Sequence, residues 1–183
     1  MNISIRLLEK DQFIDQTFDF EYTTTSYMDV SISNWQITLT KKSYDQPIHK
    51  HFQSKLFESF LECPIAFGAY DEDNQLLGIV EGSIESWHHV FRISNILVNE
   101  SSRHQGVGKR LLDHLEKEAI KTYKPRAFLL ETQTCNMNAI LFYNKMGYTW
   151  IGIDTLSYSN TDVANTEVRI EMGKKIPDEA MNS

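Results

Sequence analysis

The segment SSRHQGVGK, Ser101 to Lys109, sets two glycines among Arg103, His104 and Lys109, directly ahead of an amphipathic stretch. A helix start exposes backbone N–H groups that have no intrahelical partner and carries partial positive charge. Glycine has no Cβ, so at Gly106 and Gly108 an anion can approach those N–H groups closely. Acidic residues usually complement a helix start; here Arg103, Lys109 and Arg110 compound its positive end instead. The chemistry this suits is the binding of a phosphate or pyrophosphate by Arg103, His104, Gln105, Gly106, Val107, Gly108 and Lys109. A solvated loop with basic side chains facing water is the alternative.

Two phosphate motifs are excluded. A P-loop requires G-x-x-x-x-G-K-[ST], whereas Arg103 stands at the first glycine and Arg110 at the Ser/Thr position. The dinucleotide pattern G-x-G-x-x-G fails because Leu111 stands at its third glycine.

What remains, Arg-x-x-Gly-x-Gly after the strand ISNILV, resembles the acyl-CoA signature of the GNAT family of N-acetyltransferases. The block NMNAILFYNKMGY, about 30 residues further on, resembles the family's second block. Within the family, LLETQTCNMNAILFYNKMGYTWIGIDTLSYSN resembles the streptothricin acetyltransferase branch. The resemblance covers roughly Gly68 to Tyr158. It implies an α/β fold with a central, mostly antiparallel sheet of six to seven strands, flanked by helices and splayed between the fourth and fifth strands. It implies acetyl-CoA as cosubstrate, with its pyrophosphate on the turn, Leu97 and Val98 along its arm, Asn138 bonded to the arm, and Tyr143 near the sulfur. Trp87, Glu131, Gln133, Asp154 and Tyr158 match the branch and would contact the acceptor. One departure stands out: the branch carries acidic residues where this chain has Ser94 and Asn95 in ISNI.

Transfer of an acetyl group to an amine needs a base, because a free alkylammonium has a pKa near 10. Glu81 is the first candidate. It interrupts the apolar strand LLGIVEGS, where a charge is costly unless exposed or used. Glu131 follows FLL in another strand and is the second candidate. Asp154 would hold a substrate ammonium, and Glu85 is a weaker candidate near a strand end. Tyr143 would protonate the leaving thiolate. His88-His89 and His49-x-His51 lack a carboxylate or cysteine at ligand spacing, so no metal is expected. Cys135 has no local histidine, and direct transfer needs no acyl-cysteine.

Those residues require elements to position them. ISIRL reads as a strand and EKDQFIDQTFDF as a helix. The stretch from Glu21 to Lys50 resists reading beyond a strand near Trp35–Leu39. HFQSKLFESFLE has helical apolar spacing. Two strands flank the polar turn DEDNQ, and VFRISNILVN is a third. In the helix that follows, Val107, Leu111, Leu112, Leu115 and Ala119 share one face, with Asp113, Glu116, Lys117 and Glu118 opposite. AFLLETQ reads as a strand and NMNAILFYNKM as a helix ending at Gly147. YTWIGID and TEVRIEM close the sheet. Residues 1–173 are expected to form one domain and 174–183 a polar tail.

The bulk numbers agree. The chain has 183 residues, 41% hydrophobic and 11% aromatic, enough for one domain with a core. Eighteen Lys+Arg against 25 Asp+Glu leave a net charge of −7, which argues against nucleic acid as the main partner and suits a small cationic amine. The two cysteines form no framework, and the N-terminus lacks the order of a secretory leader. The expectation is a cytoplasmic enzyme without membrane partner; a homodimer is compatible with the sequence. The alternatives are acetylation of a protein or peptide amine or of a polyamine, and a CoA-binding module that regulates without catalysing.

Overall fold

A computed structural model describes residues 2–14 and 16–177. Seven strands hydrogen-bond in the order β1-β4-β5-β6-β7-β9-β8: β1 Ser4–Leu7, β4 Ile65–Tyr70, β5 Leu76–Glu85, β6 Val90–Val98, β7 Ala127–Gln133, β8 Thr149–Asp154 and β9 Arg169–Lys175. β2 Thr17–Ser33 and β3 Gln36–Lys55 form a separate two-stranded hairpin, and the helices are α1 Lys10–Phe13, α2 Val107–Tyr123 and α3 Met137–Lys145. The pairs β1·β4, β4·β5, β5·β6 and β8·β9 are antiparallel. This is the mixed α/β class that the sequence predicts. Among the described residues no helix is long and apolar enough to cross a membrane.

The chain divides into two compact units. The first takes in the described residues up to Asp19, Gln53–Leu129 and Lys175 onward. Its centre is β5, buried from Leu77 to Ile84, with α2 packed on β4, β5 and β6. The β4–β5 turn is set by Asp71, whose Oδ1 accepts the N–H groups of Asp73 and Gln75 at 2.9 and 2.8 Å. The buried face of α2 is the expected stripe of Val107, Leu111, Leu112, Leu115 and Ala119. Glu116, expected on the solvent face, is buried with them. α2 stops at Lys124, in the left-handed region at φ 48°, ahead of Pro125.

The second unit holds Phe20–Phe52 and Leu130–Lys174. Met137 and Ile140 of α3 pack with Ile170 of β9, joined by Met28 and Ile153. The Asn136 side chain caps α3 by accepting the Ala139 N–H at 3.2 Å, and Gly147 leaves the helix at φ 89°.

Three expectations fail. EKDQFIDQTFDF is helical only at Lys10–Phe13; from Thr17 it is strand, with Phe18, Phe20, Tyr22 and Thr24 buried at alternate positions. HFQSKLFESFLE forms no helix. Strand β3 runs to Lys55, and Phe57 then adopts φ 58°, which no right-handed helix accommodates. Its apolar residues share no face: Leu56 and Phe57 are buried, while Phe60 is 80% exposed. Finally, the boundary expected at 173 falls inside β9, which ends at Lys175; Ile176 beyond it is buried and donates its N–H to the Arg126 carbonyl at 3.2 Å. The rest of the expected tail, 178–183, lies outside the described residues.

Candidate active site

In the first unit, β6 leads through a single 3-10 turn, Glu100–Ser102, to the start of α2. His104 and Gly106 both have positive φ, 62° and 81°. The left-handed region favours glycine, and an added Cβ at Gly106 would meet no atom within 4 Å, so the loop lies open there. The first helical bond runs from Arg110 N–H to Gly106 O at 3.0 Å. The N–H groups of Gly106 to Lys109 therefore precede the ladder, with no side-chain cap and no acid in the first turn. α3, by contrast, is capped by its own asparagine. Arg103 braces the turn, its Nε donating to the Val98 carbonyl at 3.1 Å. Gln105 does the same through Ser101 O at 2.8 Å, and Lys109 pairs with Asp113. The arrangement presents uncommitted backbone donors in an open, positively charged loop, which suits a pyrophosphate.

Glu81 lies on β5 at 0% exposure. Its Oε1 accepts the Phe57 N–H at 2.6 Å, and its Oε2 accepts Ser94 Oγ–H at 3.1 Å and Asn95 Nδ2–H at 2.8 Å. No cationic side chain pairs with it among the described residues. Burial raises its pKa above the ordinary glutamate value, and the three donors oppose that rise. Ser94 and Asn95, which stand where acids were expected, thus turn toward an acid supplied by the neighbouring strand. Sequence reasoning missed that role. Its signal was a lone glutamate in an apolar strand paired with two short polar residues in the next. Leu97 and Val98 pair with Ile79 and Gly78 of β5. Trp87 stands in the β5–β6 turn, 84% exposed and stacked on His88 at 3.6 Å.

In the second unit, Glu131 of β7 is not a free carboxylate. It pairs with Arg169 at 2.5 Å, and Glu171 meets the same guanidinium nitrogen at 2.8 Å. Gln133 is also committed: its Oε1 accepts the Tyr22 hydroxyl at 2.8 Å, and that hydroxyl lies 3.3 Å from Cys135 Sγ. Burial raises the pKa of both Tyr22 and Cys135. Asn138, exposed on α3, donates to the Thr23 carbonyl at 3.4 Å. Tyr143 is buried on the same helix, and burial pushes its pKa above the usual tyrosine value. Asp154 is exposed, with Oδ1 accepting the Leu156 N–H at 2.9 Å. Tyr158 is placed by buried Asp162, which accepts its N–H at 2.9 Å. Arg169 and Tyr22 were not foreseen, since partners distant in sequence give no local pattern; Asp162, four residues from Tyr158, was overlooked.

Among the described residues, no group of three His, Cys, Asp or Glu side chains is placed to hold a metal ion.

Comparisons with known proteins bear on this geometry. The family model "Acetyltransferase (GNAT) family" matches residues 30–148. Streptothricin acetyltransferase A of Bacillus subtilis (strain 168) is 32% identical over 131 residues, 70% of this chain and 74% of that protein. The crystal structure of a nourseothricin acetyltransferase superposes with a TM-score of 0.80 at 26% identity, covering 96% of this chain and 99% of that one. A Bacillus anthracis str. Ames protein of the streptothricin acetyltransferase type, solved with acetyl coenzyme A, gives a TM-score of 0.75 at 26% identity over 97% of this chain and 100% of that one. With the glycine turn and the second block both in place on the fold, this chain belongs to the GNAT family and is an acetyl-CoA-dependent N-acetyltransferase.

Proposed function

We propose that the enzyme transfers the acetyl group of acetyl-CoA to a primary amine of a small cationic acceptor of the streptothricin type, by direct attack with Glu81 as base. One N-acetyltransferase domain running through β9 carries the reaction. The observation that carries the mechanism is the state of Glu81: fully buried, bonded by three donors and paired with no cation. A carboxylate in that setting has a raised proton affinity and can take the proton of an attacking ammonium, directly or through water.

The start of α2 supports the binding of the CoA pyrophosphate, with Gly106 and Gly108 leaving room at its N–H groups and Arg103 and Lys109 adding charge. Strand β6 would pair with the pantetheine arm along Leu97 and Val98, as an extended ligand pairs with a sheet edge. Its amides would bond the oxyanion that forms when the amine adds to the thioester. Tyr143, held protonated by burial, would give its proton to the leaving thiolate. Asn138 would bond the arm. Asp154 and Tyr158, with Trp87, Gln133 and Glu131, would contact the acceptor. Glu131 serves there through its pair with Arg169, not as a base. The acidic chain as a whole favours a cationic acceptor, and the relatives named for streptothricin motivate that choice.

The test is to incubate the protein with acetyl-CoA and a panel containing streptothricin, polyamines and peptide amines, following free thiol. Thiol release is expected with streptothricin above the rest. Release with peptides or polyamines alone would reassign the acceptor. No release with any amine, despite measured CoA binding, would overturn the reading.

A further inference from the structure

We propose that Ser94 and Asn95 are positioning residues that keep Glu81 ionised and aimed, through a bulge in β6 built to bring both side chains onto one carboxylate oxygen. The inference rests on Glu81 being the base, as set out above. Successive side chains on a strand point to opposite faces, so the neighbours Ser94 and Asn95 should not reach the same atom. Here they do. Glu81 pairs with Asn95 and Gly82 with Ile93, leaving Ser94 as the unmatched residue of the bulge. The bulge bends β6 so that Ser94 Oγ and Asn95 Nδ2 both donate to Glu81 Oε2.

The surroundings are shaped for the same group. Gly82 sits beside the bulge, where a Cβ would meet the Phe91 ring at 2.4 Å and the Arg92 carbonyl at 2.7 Å. Phe57 takes φ 58°, unfavourable for a side chain of its size, and its N–H is the donor to Oε1. Two segments thus depart from regular geometry around one carboxylate, and a third carries a glycine where a Cβ would not fit. A merely structural role would not require the charge, which is costly to bury even with three donors on it. The charged neighbour acting on Glu81 is Glu58, which raises its proton affinity. On β4 the facing residue is Ala66; Lys55, the last residue of β3, takes a second Asn95 N–H on its carbonyl at 3.4 Å, and the segment beyond it supplies the Phe57 backbone N–H. Ser94 and Asn95 are therefore the side chains that oppose burial.

The experiment compares wild type with Asn95→Leu, Ser94→Ala and the conservative Ser94→Thr. It reads the pH profile of kcat/KM and a carbon-13 NMR titration of the Glu81 carboxyl, assigned by its loss in Glu81→Gln. Removing a donor to a charged group should move the acidic limb and the Glu81 titration upward together, by about one unit for Asn95→Leu and less for Ser94→Ala. Ser94→Thr should restore the wild-type profile, whereas Asn95→Leu, which also loses the aim of the carboxylate, should lower the plateau as it moves the limb. A lowered plateau with an unmoved limb, or a Glu81 titration that does not shift, would overturn the proposal. Wild-type turnover in Glu81→Gln would remove the base, and this proposal with it, while leaving acetyl transfer intact. If no amine released thiol, the function would fall and the NMR titration alone would decide whether Ser94 and Asn95 hold the carboxylate.

Discussion

Glu131 lies 2.5 Å from the Arg169 guanidinium, which Glu171 contacts at 2.8 Å. A carboxylate already committed to an arginine is not free to take the proton of a substrate, so Glu131 is a poor base although the sequence offers it as a candidate. Glu131→Gln should lower kcat/KM by less than about tenfold, whereas Glu81→Gln should lower it by about 10²–10³-fold. Glu171 keeps Arg169 paired in the first variant, so folding should survive. Equal losses in the two variants would return Glu131 to the mechanism.

Glu81 also links pH to stability. Burial raises its folded-state pKa above the ordinary glutamate value of 4.5. Between the unfolded and folded values the native state binds more protons than the unfolded chain, so stability falls as pH rises through that window. Above the folded pKa the ionised, buried carboxylate is a net cost. Glu81→Gln should therefore raise the melting temperature at pH 7–8, and the gain should disappear below about pH 4.5. A variant less stable than wild type at neutral pH would mean that the three hydrogen bonds outweigh the burial of charge. Gain of stability with loss of turnover is the signature expected of a functional buried acid.

The elements best read from sequence were those whose local pattern and tertiary setting agree. The stripe of α2, the apolar runs of β4 and β5 around their Asp71 turn, and α3 closing on Gly147 were all legible. The hairpin was not, because its β3 strand is mostly exposed and gives little apolar signal. Phe18, Phe20 and Tyr22 do alternate, yet the preceding acidic and apolar residues imitate helical spacing. At the site, the turn of residues 103–109 was visible because its chemistry is local. Ser94 and Asn95 looked like missing acids because a bulge cannot be read from one strand alone. Glu131 looked free because Arg169 lies 38 positions away.

The turn itself is open to a direct test. Gly108 is the second helical residue, next to N–H groups that precede the hydrogen-bond ladder. Gly108→Val places a branched side chain there and should weaken CoA binding by at least about tenfold in calorimetry. The circular-dichroism spectrum should be unchanged, since valine is no worse a helix former than the glycine it replaces in this 17-residue helix. Wild-type affinity in this variant would place the pyrophosphate elsewhere.

The two thiols should behave differently. Cys63 is exposed, while Cys135 is fully buried beside the Tyr22 hydroxyl, and burial raises its pKa. A disulfide reagent should titrate Cys63 in the native protein and Cys135 only after unfolding. Acetyl transfer should survive Cys135→Ala, as expected of direct attack. A stable acetyl-cysteine at position 135 during turnover would contradict it.

Tyr143 is buried on α3, with its ring 5.4 Å from that of Phe142 and 6.1 Å from that of Tyr148. Burial lifts its pKa above the ordinary tyrosine value of 10.0, so it stays protonated throughout the working range. A group in that state can donate a proton but contributes no basic limb below pH 10. Tyr143→Phe preserves the ring contacts and removes the hydroxyl alone. Turnover should therefore fall by about 10²-fold, with CoA affinity and melting temperature close to wild type and the shape of the pH profile unchanged. Unaltered turnover would show that the thiolate leaves without this proton. A changed profile at moderate pH would show that Tyr143 titrates where its burial says it should not.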